Sequence, residues 1–510
     1  MNQIVAILDF GSQYTQLIAR RIRELGVYSE IYSPFIPITD LRAKDPAALI
    51  LSGGPASITN PDAPHPDPEI LNLDVPILGI CYGMQWLANA EGGAVAHSDS
   101  REYGKASITI LEPNGLLDNA LNESQVWMSH GDHVDTAPEG YRILARSAGI
   151  VASIGNETQQ RFGLQFHPEV THTTFGREIL EKFLFQVAGC EPNWTPAEFI
   201  SQATEQIQQA VNNDRVICAV SGGVDSSVLA VLLNRAIGDQ SAPVFIDTGL
   251  LRYDDIENVT QILAKELNLP IRRHDASEAF LTALEGITDP EKKRKIIGHQ
   301  FIEAFQEIAG EFDDLKFLAQ GTLYPDVIES QMVTGPSETI KTHHNVGGLP
   351  EEMDLELIEP FREMFKDEVR EVGRLLDIPE KILGRHPFPG PGLAVRILGE
   401  VTRERIRIVR EADKIFTKML HTYNEYDEVW QALTVLLPVN TVGVMGDSRT
   451  YEHVIALRAV VSVDGMTADW AKLSPEVLQE TSSRIVNDVK GVNRVVYDVT
   501  SKPPGTIEWE

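Results

Sequence analysis

The sequence predicts an α/β protein, with two doubly wound, mostly parallel α/β domains followed by a smaller α+β dimerisation domain. Three observations predict it. At 510 residues the chain exceeds one ordinary core, since domains usually run to about 100–200 residues. Short apolar runs alternate with amphipathic segments over the first ~190 residues and again from Arg215, the rhythm of a parallel sheet covered by helices. Stretches rich in proline and glycine at 189–196 and 386–392 interrupt that rhythm, because proline lacks the amide donor and fixes φ while glycine favours turns. The domains are therefore expected at 1–190, 191–385 and 386–510.

Taken in order, Ile4 to Leu8 reads as a strand, a helix follows from about Tyr14, and Ala48 to Leu51 and Pro76 to Ile80 are further strands. Thr195 followed by Pro196 reads as the N-cap and first turn of a helix that opens the second domain. There Val216 to Val220 is a strand, a helix starts near Ser226, and Val244 to Ile246 is the next strand. Beyond 392 come a charged helix from about Thr402, β-rich runs at Leu433 to Leu437 and Ile455 to Val463, a helix near Pro475, and a strand at Val495 to Val499. Runs such as Val454 to Val463 suit subunit pairing.

Composition narrows the partners. An apolar fraction of 43% with 23% charged residues is that of an ordinary globular protein. Lys plus Arg number 44 against 74 Asp plus Glu, and a formal charge of −30 repels a phosphate backbone, which argues against nucleic acid as a partner. The three cysteines, Cys81, Cys190 and Cys218, fit neither a disulfide framework nor a paired-cysteine zinc site. No basic region precedes the first apolar run, and no stretch of about 18 apolar residues occurs. A soluble, unprocessed protein of the reducing cytoplasm, without membrane contact, is expected.

Pro76-Ile-Leu-Gly-Ile-Cys-Tyr-Gly-Met-Gln85 carries an apolar strand through a glycine-flanked turn into a helix, with Cys81 at the turn. A thiol there stands out of the sheet, and amides at the helix N-terminus favour its thiolate. A lone cysteine is more often a small buried apolar residue, but Gly79 and Gly83 on either side weigh against that reading. Gly163-Leu-Gln-Phe-His-Pro-Glu169 supplies His167 as a base and Glu169 to orient it. Leu51-Ser-Gly-Gly-Pro55 offers glycine amides, at Gly53 and Gly54, for an oxyanion. Together these segments resemble the class I (triad) glutamine amidotransferases. The resemblance implies Cys81 as nucleophile, His167 as base and Glu169 as its partner, with Gly54 and the Tyr82 amide around the oxyanion. It also implies that Gln85 and the run Ser129, His130, Gly131 and Asp132 hold the substrate glutamine. His133 stands where the resemblance leads one to expect lysine.

Val220-Ser-Gly-Gly-Val-Asp-Ser-Ser227 follows a strand and precedes a helix, the context in which glycine amides and hydroxyls cradle phosphate. It lacks the Gly-Lys-Ser/Thr ending of a Walker loop, and it resembles the pyrophosphate loop of the N-type ATP pyrophosphatases. The resemblance implies that Ser221, Gly222, Gly223, Val224, Asp225, Ser226 and Ser227 bind ATP. Asp225 is expected to help hold Mg2+, since a hard cation prefers carboxylate oxygen; its bland alternative is a solvated N-cap. Phe245 to Gly249 and Gly321 to Asp326 end strands where a nucleotide lies in open α/β sheets.

Glu291 to Gly298, Thr342 to Pro350, Arg385 to Ala394 and Lys502 to Glu510 resemble the glutamine-hydrolysing GMP synthase family, and here the resemblance runs end to end. It implies that glutamine, ATP and xanthosine monophosphate (XMP) are substrates. XMP is adenylated and then aminated by the released ammonia, in a homodimer. Arg294, Asp447, Lys502 and Glu508 are then expected at XMP, and the glycine and proline residues of the loop around His343 to Pro350 read as a lid over ATP. Two rivals are weighed. Glutamine-fed NAD synthetases carry a glutaminase of another, nitrilase-like type, against which the Cys81 elbow and the His167–Glu169 pair argue. A nucleotide-sensing protein without turnover would be free to lose Cys81, His167, Glu169 or Asp225, and all are present.

Overall fold

The computed structural model describes residues 3–312, 314–331, 355–445, 448–462 and 467–510. By internal contacts the chain divides into two units, Met1–Glu198 and Phe199–Glu510. The apolar runs of the first unit form β1 (Ile4–Leu8), β2 (Tyr28–Tyr32), β3 (Ala48–Leu51) and β4 (Ile77–Ile80). Every residue of β3 and β4 is buried, which is why they read as continuous apolar runs and not as alternations. The strands β5 (Ala94–Ser107), β6 (Thr109–Ile110), β7 (Gln125–Thr136), β8 (Arg142–Ser147), β9 (Ile150–Asn156) and β10 (Arg161–Leu164) follow.

The sheet order is β2-β1-β3-β4-β10-β9-β8-β6, parallel from β2 to β10 and antiparallel beyond. β10 lies parallel to β4 with Leu164 opposite Ile80, so the residues just after both strands leave the sheet at one edge. β5 and β7 pair as a separate antiparallel ribbon. The segment 189–194 is bound to this unit: the Trp194 amide donates to Gly26 O at 2.8 Å and its ring lies 4.7 Å from that of Tyr28. Thr195 then caps the helix Pro196–Val211 as its sequence predicts, accepting from the Glu198 amide at 3.2 Å.

In the second unit β11 (Arg215–Ala219), β12 (Ser241–Asp247), β13 (Arg272–Asp275), β14 (Leu315–Ala319) and β15 (Glu356–Ile358) form a parallel sheet in the order β13-β12-β11-β14-β15. The chain winds outward from β11 to β13 and returns on the other side at β14. The crevice between the ends of β11 and β14 is thus a topological switch point, where open α/β sheets take ligands.

The remainder folds as β16 (Gln431–Met445), β17 (Ser448–Val461), β18 (Asp469–Trp470) and β19 (Val492–Tyr497), with β16, β18 and β19 all pairing β17. The helices Arg403–Thr422 and Pro475–Asp488 are capped by Thr402 and Ser474. One apolar core joins Ile217 and Val244 of the parallel sheet to Leu393, Phe416 and Leu457. The proline-glycine stretch before Leu393 is packed accordingly. Gly392 has φ +65°, and a Cβ there would stand 2.5 Å from Leu250 O. No helix among the described residues is long and apolar enough to cross a membrane. Asp447 and the segment 342–350 lie outside the described residues.

Candidate active sites

Cys81 links β4 to the helix Tyr82–Ala90 with φ 52° and ψ −107°, a strained elbow held because its neighbours allow no other path. Its amide donates to Leu164 O at 2.7 Å. A Cβ on Gly79 would stand 2.6 Å from Gly83 O, and one on Gly83 would stand 2.2 Å from Leu51 O. Strand, turn and helix therefore meet at a spacing only glycine permits.

His167 follows β10, and its Nδ1 lies 2.7 Å from Glu169 Oε1, with both side chains buried. Burial disfavours the imidazolium, but the Glu169 carboxylate and a hydrogen bond with Cys81 outweigh it and hold the His167 pKa well above its ordinary value. The ring edge of Tyr14 closes the site at 5.1 Å from His167. A Cβ on Gly53 would meet His167 Cε1 at 3.1 Å and Cys81 Cβ at 3.6 Å, so that glycine borders both residues. Gly54 is pressed against Phe10 O, 2.7 Å from where its Cβ would be.

The Cys81 thiol also donates to Ser129 O at 3.5 Å, which brings the β7 run to the same place. His130 and Asp132 are buried there. Burial, with His133 close by, pushes the His130 pKa down to about 4 and keeps its ring neutral. Asp132 Oδ1 lies 2.7 Å from His97 Nδ1, its Oδ2 accepts from Ser57 Oγ, and its carbonyl accepts from Gln85 Nε2 at 2.8 Å. Around Gly131 there is room, the nearest atom to a Cβ being His97 Cε1 at 3.9 Å. Gln165, given no role from the sequence, donates to Cys81 Sγ at 3.7 Å. Its signal was its place directly after β10 and two residues before His167.

At the second site, Ser221–Gly223 leaves β11 at the switch point and leads into the helix Val224–Ile237, which starts two residues before the expected Ser226. Ser221 Oγ and Ser226 Oγ are 3.0 Å apart, and Ser227 Oγ donates to Gly223 O at 2.6 Å. Gly222 has φ +80°, and its carbonyl accepts from Arg385 Nη1 at 2.5 Å. Val224 is buried. Across the crevice a Cβ on Gly321 would stand 3.5 Å from Asp225 Cβ. Asp225 Oδ2 accepts from Lys366 Nζ at 3.4 Å, and its buried Oδ1 has no hydrogen-bond partner among the described residues. A buried orphan carboxylate oxygen beside a phosphate-type loop fits a hard divalent cation.

The C-terminal residues are folded back. Arg458, fully buried, donates to the carbonyls of Thr500, Thr506 and Ile507 and to Asp498 Oδ2 at 2.7–3.0 Å. Trp509 is 38% exposed and donates to Asp498 Oδ2 at 2.9 Å. Its ring is part-exposed, and the tail is held by its carbonyls on Arg458. Glu508 is gripped by Arg396, Nη2 to Oε1 at 2.8 Å and Nε to Oε2 at 3.2 Å, and by Gln431 Nε2 at 2.6 Å. Arg294 donates to Glu510 O at 2.5 Å, and Lys502 pairs with Ala468 through the backbone. Neither Arg396 nor Gln431 carries a sequence signal, because a buried ion partner differs from a solvated one only in what folds around it.

The class-I glutamine amidotransferase model matches residues 6–187, and the GMP synthase C-terminal domain model matches 418–509. The chain is 55% identical to the glutamine-hydrolysing GMP synthase of Chlorobaculum tepidum, covering 100% of this chain and 99% of that one. It is also 55% identical to the Aquifex aeolicus enzyme of that name, over 99% of both chains, and 56% identical to that of Chlorobium luteolum, over 100% of both.

Proposed function

The chain belongs to the glutamine-hydrolysing GMP synthases, and from that membership we propose how its own residues divide the reaction. It makes GMP from XMP, with glutamine as the nitrogen source and ATP as the activating substrate. Cys81 attacks the side-chain carboxamide of glutamine while His167 takes the thiol proton and passes it to the departing ammonia. Glu169 stabilises the imidazolium formed. Amides of Gly53, Gly54 and Tyr82 face the oxyanion, and Gln85 with Ser129, His130, Gly131 and Asp132 hold glutamine. Water activated by His167 then cleaves the Cys81 thioester to glutamate.

At the second site the loop Ser221–Ser227 cradles the phosphates of ATP while the 2-oxo oxygen of XMP attacks the α-phosphorus, expelling pyrophosphate. Ammonia adds at that carbon of adenylated XMP and AMP leaves, giving GMP. Arg294, Asp447, Lys502 and Glu508 bind XMP. Asp225 would hold Mg2+, which when bound screens phosphate charge. The domains are read as 1–190 for glutamine hydrolysis, 191–385 for adenylation and 386–510 for XMP binding and pairing. The exposed Val442, Val444 and Tyr451, on one face of the β16–β17 pair, support a homodimer. The three described cysteines are unpaired, in keeping with a cytoplasmic enzyme.

The buried Cys81–His167–Glu169 constellation carries this reading. Its test is AMP and GMP formation by wild type and Cys81→Ala, given ATP, Mg2+ and XMP with either glutamine or ammonium. The variant is expected to work with ammonium alone; glutamine-driven synthesis in the variant would overturn the assignment of Cys81.

A further inference from the structure

A chain of ion pairs and hydrogen bonds, joined at Arg252 through its backbone amide, crosses the second unit between the two places assigned to ATP and XMP. Arg385 donates to Gly222 O in the phosphate loop at 2.5 Å and pairs with Asp255. The other oxygen of Asp255 accepts from the Arg252 amide at 2.9 Å. Arg252 forms an ion pair with Asp413, Nε to Oδ2 at 2.9 Å, and donates from Nη2 to Oδ1 at 3.2 Å and to Ala432 O at 3.0 Å. Asp413 Oδ1 also accepts from Arg396 Nη1 at 3.5 Å, and Arg396 forks onto Glu508.

The middle of this chain is dry. Asp255 is 2% exposed, Arg252 7%, Asp413 4% and Arg396 0%. The guanidinium carbons of Arg252 and Arg396 each lie 5.0 Å from the Phe388 ring centroid, so one ring lies against both. A charge this deep cannot exchange its partner for water, because an ion left unpaired away from solvent is strongly destabilising. If one end moves, its neighbours must follow or lose their partners. Asp413 sits in the middle of the helix Arg403–Thr422, touches two arginines of opposite allegiance, and has no role in the chemistry above.

We propose that Asp413 is a positioning residue that holds the phosphate loop and Glu508 in one register, so that ATP and XMP strengthen each other's binding. The proposal rests on the assignment of the 221–227 loop to ATP and of Glu508 to XMP. Coupling between sites is reciprocal and typically ~5–150-fold. Titration calorimetry on the full chain gives the Kd of XMP with and without saturating magnesium and a non-hydrolysable ATP analogue. In wild type the analogue is expected to tighten XMP about tenfold.

In Asp413→Asn that factor falls to near one, while the Kd of the analogue alone changes less than about threefold. A general loss of stability lowers Tm but does not abolish the ratio. Should Asp413→Asn not fold, Arg252→Lys, which keeps the charge and loses the Nη2 donor to Asp413 and Ala432, carries the same expectation. A factor that persists in a folded variant, or that is absent from wild type, overturns the proposal. Glu508→Ala separates the two readings: if it leaves XMP affinity unchanged, it is the assignment of Glu508 that fails.

Discussion

At the scale of single residues, the proposed chemistry depends on the charge state of His167. Its burial alone would favour the neutral ring, and the carboxylate 2.7 Å away reverses the balance. Glu169→Gln keeps the shape and removes the charge, so glutamine-dependent turnover is expected to fall roughly 10²–10⁴-fold with ammonium-dependent synthesis unchanged. The pKa direction also fixes a stability dependence. A histidine with a folded pKa above its unfolded value, about 6.5, contributes stability that is fully present below pH ~6.5 and is lost as pH rises through the folded value. The gap in Tm between wild type and Glu169→Gln should therefore be widest near pH ~6 and narrow toward alkaline pH; a gap constant with pH would mean that Glu169 does not charge His167.

At the scale of elements, the elbow is a packing problem between β3, β4 and one helix. Gly83 has no unusual φ; it is required because a Cβ would stand 2.2 Å from Leu51 O, a backbone atom that cannot swing aside. Gly83→Ala forces the helix away from β3 at a cost of at least about 1–3 kcal/mol. The expected result is a lower Tm together with loss of glutamine hydrolysis, because the Cys81 thiol moves off His167. Ammonium-dependent synthesis should survive. A variant with both wild-type Tm and wild-type glutaminase would show that the elbow tolerates a wider spacing. The stretch 386–392 teaches a related lesson: its prolines and glycines end regular structure as expected, yet Gly392 sits hard against Leu250.

At the scale of the whole molecule, a formal charge of −30 keeps copies apart, so association needs an apolar face. Val442 is 46% exposed, Val444 74% and Tyr451 67%, with Val442 directly opposite Tyr451 in the β16–β17 register. Val444→Asp would place a solvated charge in a pairing surface built on these residues. Sedimentation equilibrium should show two chains for wild type and one for Val444→Asp at low micromolar concentration. Two chains in both would put the interface elsewhere.

The sequence by itself determined the local items: the strands at Ile4–Leu8 and Ala48–Leu51, the Thr195 cap, the Cys81 turn and the glycine loop at 221–223. Each is encoded by a few adjacent residues whose φ, donors and apolar spacing have only one ordinary solution. His167 and Glu169 were legible for the same reason, lying two apart. Only the tertiary structure decided that β10 lies beside β4, which brings His167 to Cys81 across 86 positions of chain. It alone decided that the second half of the first sheet is antiparallel, and that the parallel sheet of the second unit shares one core with the C-terminal elements. It also decided that Arg252, Asp413 and Arg396 are buried ion partners. Those choices depend on which surfaces meet, and a charged residue reads alike in sequence whether it faces water or an opposite charge in the core.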